Sequence, residues 1–262
     1  MKTAKTKPPL LKYYFLTFAS LSFLILFFLF SNQRRHSPTS FLTTTAATTH
    51  SSSASEVDLK IRPGYTSYDA YIQRQLNKTL NPKLRKIWMT RDWDRKIHVF
   101  SNFFRELQLQ NLLSNSSKSL CIGARVGQEV EALKRVGVSD SVGIDLVPSP
   151  PLVLKGDFHN QPFDNETFDF EFSNVFDHAL YPRKFVGEIE RTLKPDGVCV
   201  LHLALSTRAD KYSANDLYSV KPLIHLFQRS RLVRVRKVDG FGLDTEVIFR
   251  KKKTTQRSRF HF

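Results

Sequence analysis

The sequence predicts an α/β domain built on a mainly parallel sheet with helices on both faces. Three observations lead there. From Ser119 onward, short apolar runs alternate with segments of helical period, the pattern of strands joined by helical crossovers. Lys118 to Val130 read KSLCIGARVGQEV, an apolar strand that turns through glycine into a helix start. Val142 to Asp145 then give VGID, a second strand closing in a carboxylate 22 residues after Gly123. A strand turning through glycine into a helix N-terminus makes a floor for a nucleotide-like ligand, and the carboxylate is placed to accept from two ribose hydroxyls.

The elements follow in order. Residues 56–117 read as helical. Tyr71, Ile72, Leu76 and Leu80 recur on one side of a segment that Asn81-Pro82 ends. In a second segment, Trp93 to Leu113, Ile97, Phe100, Phe104 and Leu107 form one apolar stripe facing a core. Asn115-Ser116-Ser117 breaks the pattern. Strands are then expected at SLCIG from Ser119, at Ser141 to Leu146, Leu152 to Leu154, Phe168 to Ser173 and Val198 to Ala204. Helices are expected at Gln128 to Arg135, Pro182 to Leu193 and around Asp216 to Phe227. At Leu193-Lys194-Pro195-Asp196-Gly197 the proline stops a helix and the glycine permits a left-handed turn into the next strand. Leu232 to Val238 and Glu246 to Phe249 read as a closing antiparallel hairpin, the sixth and seventh strands.

The N-terminal part has a different composition. Residues 1–55 hold no Asp or Glu, and Phe15 to Phe30 carry no charge. With Tyr13 and Tyr14 as an interfacial pair, residues 13–31 are long enough to span a bilayer, near the lower end of the required ~17–25 residues. Lys2, Lys5, Lys7 and Lys12 precede the span and only Arg34 and Arg35 follow it closely. The positive-inside bias therefore implies a single-pass type II anchor, with 1–12 as a cytosolic tail and everything after the span on the far side. A cleaved signal peptide would have a shorter apolar core and a small-residue cleavage site, which Ser31-Asn32-Gln33-Arg34-Arg35 does not supply. A transit peptide would lack the long apolar block. Residues 32–55, rich in Ser and Thr, read as an extended stem. Tail, span, stem and globular domain together make the layout of resident Golgi enzymes, which suits a short span in a thin membrane but names no chemistry.

The net charge is +16. Residues 1–55 contribute six basic residues and no acid, which leaves +10 for the remainder. Arg250 to Arg259 carry six of those charges, and 253–262 read as a basic tail. For a lumenal domain this excludes nucleic acid as the expected partner and points to an acidic glycan or an anionic membrane surface. Two cysteines, Cys121 and Cys199, sit inside apolar strand patterns. They are too few for a disulfide scaffold, so the fold must stand on its core.

The order of elements over residues 118–252 resembles the class I S-adenosylmethionine-dependent methyltransferase superfamily, in a methyltransferase type 11-like form. LCIGARVG resembles its first-strand motif at Gly123 and Gly127, with Cys121 in place of the motif's acid and Arg125 in place of its middle glycine. GDFHNQPFDNETFDFEFSN and VFDHALYPRKFVGEIERTLKPDGVCVL are similar to two later blocks of that family. Gly-Ala-Arg-x-Gly-x-Glu-Val together with Asn-x-x-Asp-His-Ala looks like a coherent variant set.

The resemblance implies a Rossmann-like, mainly parallel seven-stranded sheet and S-adenosyl-L-methionine as cofactor. It implies that Gly123, Arg125 and Gly127 lie at the cofactor's methionine portion, that Asp145 takes the ribose, and that Asp157 with Phe158 takes the adenine. It places Asn174 near the sulfonium. Glu129 is a candidate to replace the carboxylate lost at Cys121. As a functional pair, His178 would remove a proton from a hydroxyl nucleophile with Asp177 orienting it; His159 is another base candidate. Each also has a structural reading: Asp145 as a strand-end turn former, Asp157 as a loop former, Glu129 as a solvent-facing acid at a helix start, Asp177-His178 as a cap with a structural histidine.

Membrane-anchored methyl transfer to an oxygen nucleophile, with an acidic glycan as acceptor, is the leading expectation. Cys121 and Arg125 also motivate a methyltransferase-like scaffold that binds cofactor weakly. Asp92-Trp93-Asp94 has a two-carboxylate spacing able to hold Mn²⁺ in a lumenal glycosyltransferase, although acids are favoured anyway where a helix begins. No metal is expected in the leading reading. The acceptor side is expected to come from residues 56–117 and the loop 205–215.

Overall fold

The computed structural model describes residues 58–205 and 210–253. The expected tail 1–12, anchor 13–31 and stem 32–55 lie outside the described residues, as do 254–262 of the basic tail and 206–209 of the acceptor-side loop. Among the described residues no helix is long and apolar enough to cross a membrane.

The chain runs β1 (Leu59–Ile61), α1 (Tyr68–Thr79), α2 (Pro82–Met89), α3 (Trp93–Leu109), β2 (Ser119–Ile122), α4 (Gln128–Arg135), β3 (Ser141–Asp145) and β4 (Val153–Lys155). It continues through β5 (Phe168–Ser173), a 3₁₀ turn (Phe176–His178), α5 (Pro182–Thr192), β6 (Leu193–Leu203), β7 (Asn215–Leu217), α6 (Lys221–Leu226), β8 (Ser230–Gly240) and β9 (Leu243–Lys251). Seven strands form one sheet in the order β4-β3-β2-β5-β6-β9-β8. The first five of these pair in parallel, and β9 and β8 close the sheet antiparallel. The alternating pattern led to the mainly parallel sheet, and the resemblance led to its Rossmann-like, seven-stranded form. The strand order reverses between β2 and β5, which opens a crevice at their carboxyl ends.

Both faces of the sheet are covered because its central strands are apolar on both sides. Leu120, Ile122, Phe185, Ile189 and Leu201 pack in one apolar layer. Phe100, Phe104, Cys121, Val130, Phe170 and Phe172 pack in the other. Alternation along the strands puts Cys121 and Cys199 in opposite layers, with β5 between their strands. Both thiols are free and buried, and burial pushes each well above its ordinary value.

Several boundaries differ from the sequence reading. Asn81-Pro82 ends one helix and also starts the next: Asn81 Oδ1 accepts from Lys83 N and Leu84 N at 3.0 and 3.2 Å, and Pro82 sits in the first turn of α2. The buried stripe of α1 is Tyr71, Gln75 and Thr79, while Leu80 is 55% exposed. Strand β4 begins at Val153, one residue later than expected, because Leu152 N is still turned back onto Ser149 O at 3.1 Å. The helix expected around Asp216 to Phe227 is confined to α6. The residues before it form β7, paired antiparallel with β1, a strand absent from the helical reading of 56–117. At the turn before the parallel part of β6, the left-handed residue is Asp196 (φ 66°) rather than Gly197. Gly197 is confined by packing, since a Cβ there would lie 2.8 Å from Lys194 O.

Candidate functional site

A cavity of ≈ 350 Å³ opens at the carboxyl ends of β2, β3 and β5, within the range of small-molecule sites. The sheet supplies Gly123, Arg125, Asp145, Phe158, Asn174, Asp177 and His178 to its wall. The helices before β2 supply Gln75, Lys78, Thr79, Trp88 and Lys96, and the β8–β9 hairpin supplies Phe241, Gly242 and Leu243. Asp210 and Ala204 complete the rim.

The β2–α4 turn is shaped by positive φ at Gly123 (73°), Arg125 (52°) and Gly127 (95°). A Cβ at Gly123 would collide with the side chain of Val175, so only glycine lets β2 and the segment after β5 approach here. Gly127 caps α4 and does not line the cavity; a Cβ there would lie 2.7 Å from Leu152 Cβ. It therefore shapes the turn from behind. Asp145 Oδ2 accepts from Arg125 N at 2.9 Å and Oδ1 from Val147 N at 3.3 Å. Burial raises the Asp145 carboxyl, and these backbone N–H groups oppose the rise.

Asp157 is not on the cavity wall. Its carboxylate accepts from Tyr68 OH and from His159 N, the latter at 2.8 Å. Burial would raise Asp157, but the bonds from His159 and Tyr68 hold it below the usual range. The ring of Phe158 does line the cavity, braced edge-on by Phe185 at 5.2 Å. His159 also lies off the wall: its Nδ1 is 2.9 Å from Tyr68 OH and its Nε2 accepts from Tyr181 N at 3.2 Å.

The 3₁₀ turn that carries Asp177 and His178 is clasped from two sides. Asn215 Nδ2 donates to Phe176 O and Ala179 O at 2.8 and 2.7 Å, and Tyr71 OH donates to His178 O at 2.8 Å. Ser213 donates to the Asp177 carboxylate. The imidazole of His178 has Nδ1 2.9 Å from Gln75 Oε1 and Nε2 3.0 Å from Lys78 Nζ. Asp177 Oδ2 is farther from Nε2, at 3.8 Å. Gln75 Nε2 donates to Tyr212 O at 2.8 Å, which turns Oε1 toward the ring. Nδ1 must then carry the proton and Nε2 must accept. Burial lowers the pKa of His178 and favours that neutral form. The proton-bearing Nδ1 is thus held by Gln75 rather than by Asp177, whose carboxylate is bonded to Ser213 and stays 3.8 Å from Nε2. Lys78 also pairs with Asp210 Oδ2 at 2.6 Å.

A second charged group sits at the β2–α4 end. Glu129 is 1% exposed, against the solvent-facing alternative. Its Oε1 accepts from Arg125 Nη2 at 3.2 Å and from Asn174 Nδ2 at 3.0 Å. Arg125 also lies over the Trp88 ring at 5.6 Å. Lys96, buried on α3, has its Nζ 5.1 Å from the Phe241 ring centre. Burial, with Arg125 nearby, pulls Lys96 down to about 8 against the pull of Glu129 and Asp92. Gln75, Lys78, Trp88 and Lys96 were not singled out in the sequence. The available signal was polar residues on buried helix stripes, Gln75 between Tyr71 and Thr79, and Lys96 beside Ile97.

Asp92 and Asp94 do not form a metal pair. Asp92 is buried against Arg91 and Arg95 at 3.1 and 3.2 Å, whereas the Asp94 side chain is exposed. Among the described residues no group of three or more His, Cys, Asp or Glu could hold a metal ion.

Residues 120–201 match the family model of a methyltransferase domain. Among solved structures, 1,6-didemethyltoxoflavin-N1-methyltransferase of Burkholderia thailandensis, solved with 1,6-didemethyltoxoflavin and S-adenosylhomocysteine, aligns with a TM-score of 0.53. The alignment is 15% identical and covers 74% of this chain and 94% of that one. A chain from the complex of the Haloferax volcanii Trm112 methyltransferase activator aligns with a TM-score of 0.51 at 16% identity, covering 67% of this chain and 96% of that one. At such identities the likeness is one of fold. No curated protein sequence matches the chain. Residues 120–201 therefore carry the match to a methyltransferase domain, within a fold shared with these two solved structures.

Proposed function

We propose that this protein transfers a methyl group from S-adenosylmethionine to an oxygen nucleophile, with His178 as general base, and that the acceptor is a hydroxyl of an acidic glycan in the secretory lumen. The observation that carries the base assignment is the Gln75–His178 bond, which leaves a neutral imidazole with Nε2 as acceptor on the cavity wall.

The residues present fit the cofactor. Gly123 keeps the floor open, and Asp145 presents a carboxylate at the end of β3 where ribose hydroxyls would be held. Phe158 offers a ring face for the base. Cys121, which motivated the scaffold reading, is packed in the core and does not intrude on the cavity. The bound cofactor would supply an electrophilic methyl group on a sulfonium. The chain's own work is alignment and proton removal. A hydroxyl entering the cavity would replace Lys78 at His178 Nε2, and Lys78 would stay paired with Asp210.

The lumenal assignment rests on the lysine asymmetry before residue 13. It is supported by Asn77-Lys-Thr, Asn115-Ser-Ser and Asn165-Glu-Thr, three glycosylation sequons whose asparagines are all exposed. An acidic acceptor is consistent with Lys78 on the wall beside His178.

Incubating the full-length chain with methyl-labelled cofactor and uronate-containing polysaccharides tests the reaction. Label should enter as an alkali-stable ether with the wild type and be lost in His178→Gln, with cofactor binding retained. Label confined to alkali-labile esters would contradict the hydroxyl acceptor. Protease access to the domain in sealed vesicles, with no endoglycosidase shift, would contradict the topology.

A further inference from the structure

Three polar groups at the β2–α4 end of the cavity lack the partners that buried charges need. Glu129 Oε2 is buried with no hydrogen-bond partner, and so is Arg125 Nε. Lys96 Nζ, on a buried side chain lining the cavity, has no acceptor among the described residues and is met only by the Phe241 ring. Arginine and a carboxylate can form two parallel N–H···O bonds. Arg125 and Glu129 form one, at 3.2 Å, and leave Nε and Oε2 both unmatched. Burying charges in that state is costly unless something completes them. The missing complement is a group with an ammonium for Glu129 and a carboxylate for the two cations, held close together. An α-amino acid has both.

We infer that Glu129, Arg125 and Lys96 form a clamp for the zwitterionic amino-acid end of the cofactor, with the ammonium on Glu129 and Asn174 and the carboxylate between Arg125 and Lys96. The inference rests on the cofactor reading given above. In the structure the Arg125 guanidinium occupies the place of the ammonium on Glu129 Oε1; binding moves it off that oxygen and onto the carboxylate. Arg125 can move because its side chain stacks on Trp88 at one end of the cavity rather than being locked by further bonds. The clamp also accounts for Cys121. The acid absent from β2 has a functional equivalent on α4, close enough for the Glu129 carboxylate to raise the Cys121 thiol, after burial itself. Helix α3, outside the methyltransferase domain match, thereby contributes to the cofactor site as well as the acceptor side.

Calorimetric titration of the full-length chain with three ligands tests this. S-adenosylhomocysteine has both charges, S-adenosyl-3-thiopropylamine lacks the carboxylate, and 5′-methylthioadenosine lacks both. Glu129→Gln should weaken the first two by about tenfold or more and leave the third within about twofold. Lys96→Met should weaken only the first, and Lys96→Arg should restore it. Retained 5′-methylthioadenosine binding reports an intact cavity in each variant, and if Glu129→Gln fails to fold, the Lys96 pair decides. Equal losses on all three ligands, or no loss on S-adenosylhomocysteine, would overturn the clamp while leaving the cofactor reading intact. A wild-type chain that binds none of the three would overturn both.

Discussion

His178 Nδ1 lies 2.9 Å from Gln75 Oε1, so the imidazole in the methyltransferase domain is oriented by a helix that precedes it. The bond crosses 103 residues of sequence. It sets the tautomer, and under the proposed function it ties α1 to the group that removes the proton.

Replacing Gln75 by Leu removes the only side-chain acceptor that fixes that tautomer among the described residues. Nitrogen NMR of the wild type should show His178 neutral with the proton on Nδ1 at pH 7, and Gln75→Leu should shift the population toward Nε2–H. Turnover should fall by at least about tenfold in that variant, a small fraction of what a general base contributes. An unchanged tautomer in Gln75→Leu would remove Gln75 from the mechanism.

Asp145 already accepts from two backbone N–H groups, so removing its carboxylate altogether would disturb the β2–α4 turn as well as any ribose contact. Asp145→Asn is the cleaner change, since it keeps an acceptor and loses the charge. It should weaken S-adenosylhomocysteine by roughly tenfold, the loss of about 1.4 kcal/mol of charge-assisted bonding, with little shift in melting temperature. Unchanged affinity would reassign Asp145 to the turn alone.

Glu246 is buried on β9 with His202 Nε2 at 3.2 Å, Arg236 Nε at 2.6 Å and Arg234 Nη2 at 2.9 Å. Burial would raise its pKa, but the bonds from His202 and Arg236 bring it down from 4.5 to about 2. A carboxylate with a lowered folded-state pKa stabilises the fold above its unfolded value and loses that contribution as pH falls toward the folded one. Glu246→Gln should therefore cost about 3 kcal/mol near pH 7, as for a broken buried ion pair. The gap to wild type should close between pH 4.5 and about 2. Calorimetric melting across that range checks it; a gap independent of pH would contradict the ionised network.

What the sequence made legible was local. The strand–glycine–helix turn, the bounds of α4 and β5, and the closing hairpin follow from residue patterns that short-range sterics enforce, and they appear where expected. The pairing of β1 with β7 was not legible. Three-residue strands have no period to read, and their partner lies more than 150 positions away. The cavity follows the same division. Gly123, Asp145 and Asn174 at strand ends, and His178 on the turn after β5, lie on its wall. Gly127 and Asp157 do not, because packing on Leu152 and bonding to Tyr68 claim them first. Lys96 and Gln75 arrive from helices whose polar inward positions gain meaning only when a sheet edge is placed opposite.

Everything proposed for this cavity depends on its binding S-adenosylmethionine and its product. Isothermal titration of the full-length chain in mild detergent with S-adenosylhomocysteine measures it directly. A single site per chain with micromolar affinity, weakened by Asp145→Asn, is the expected result. No heat of binding from a chain that still melts cooperatively would contradict it.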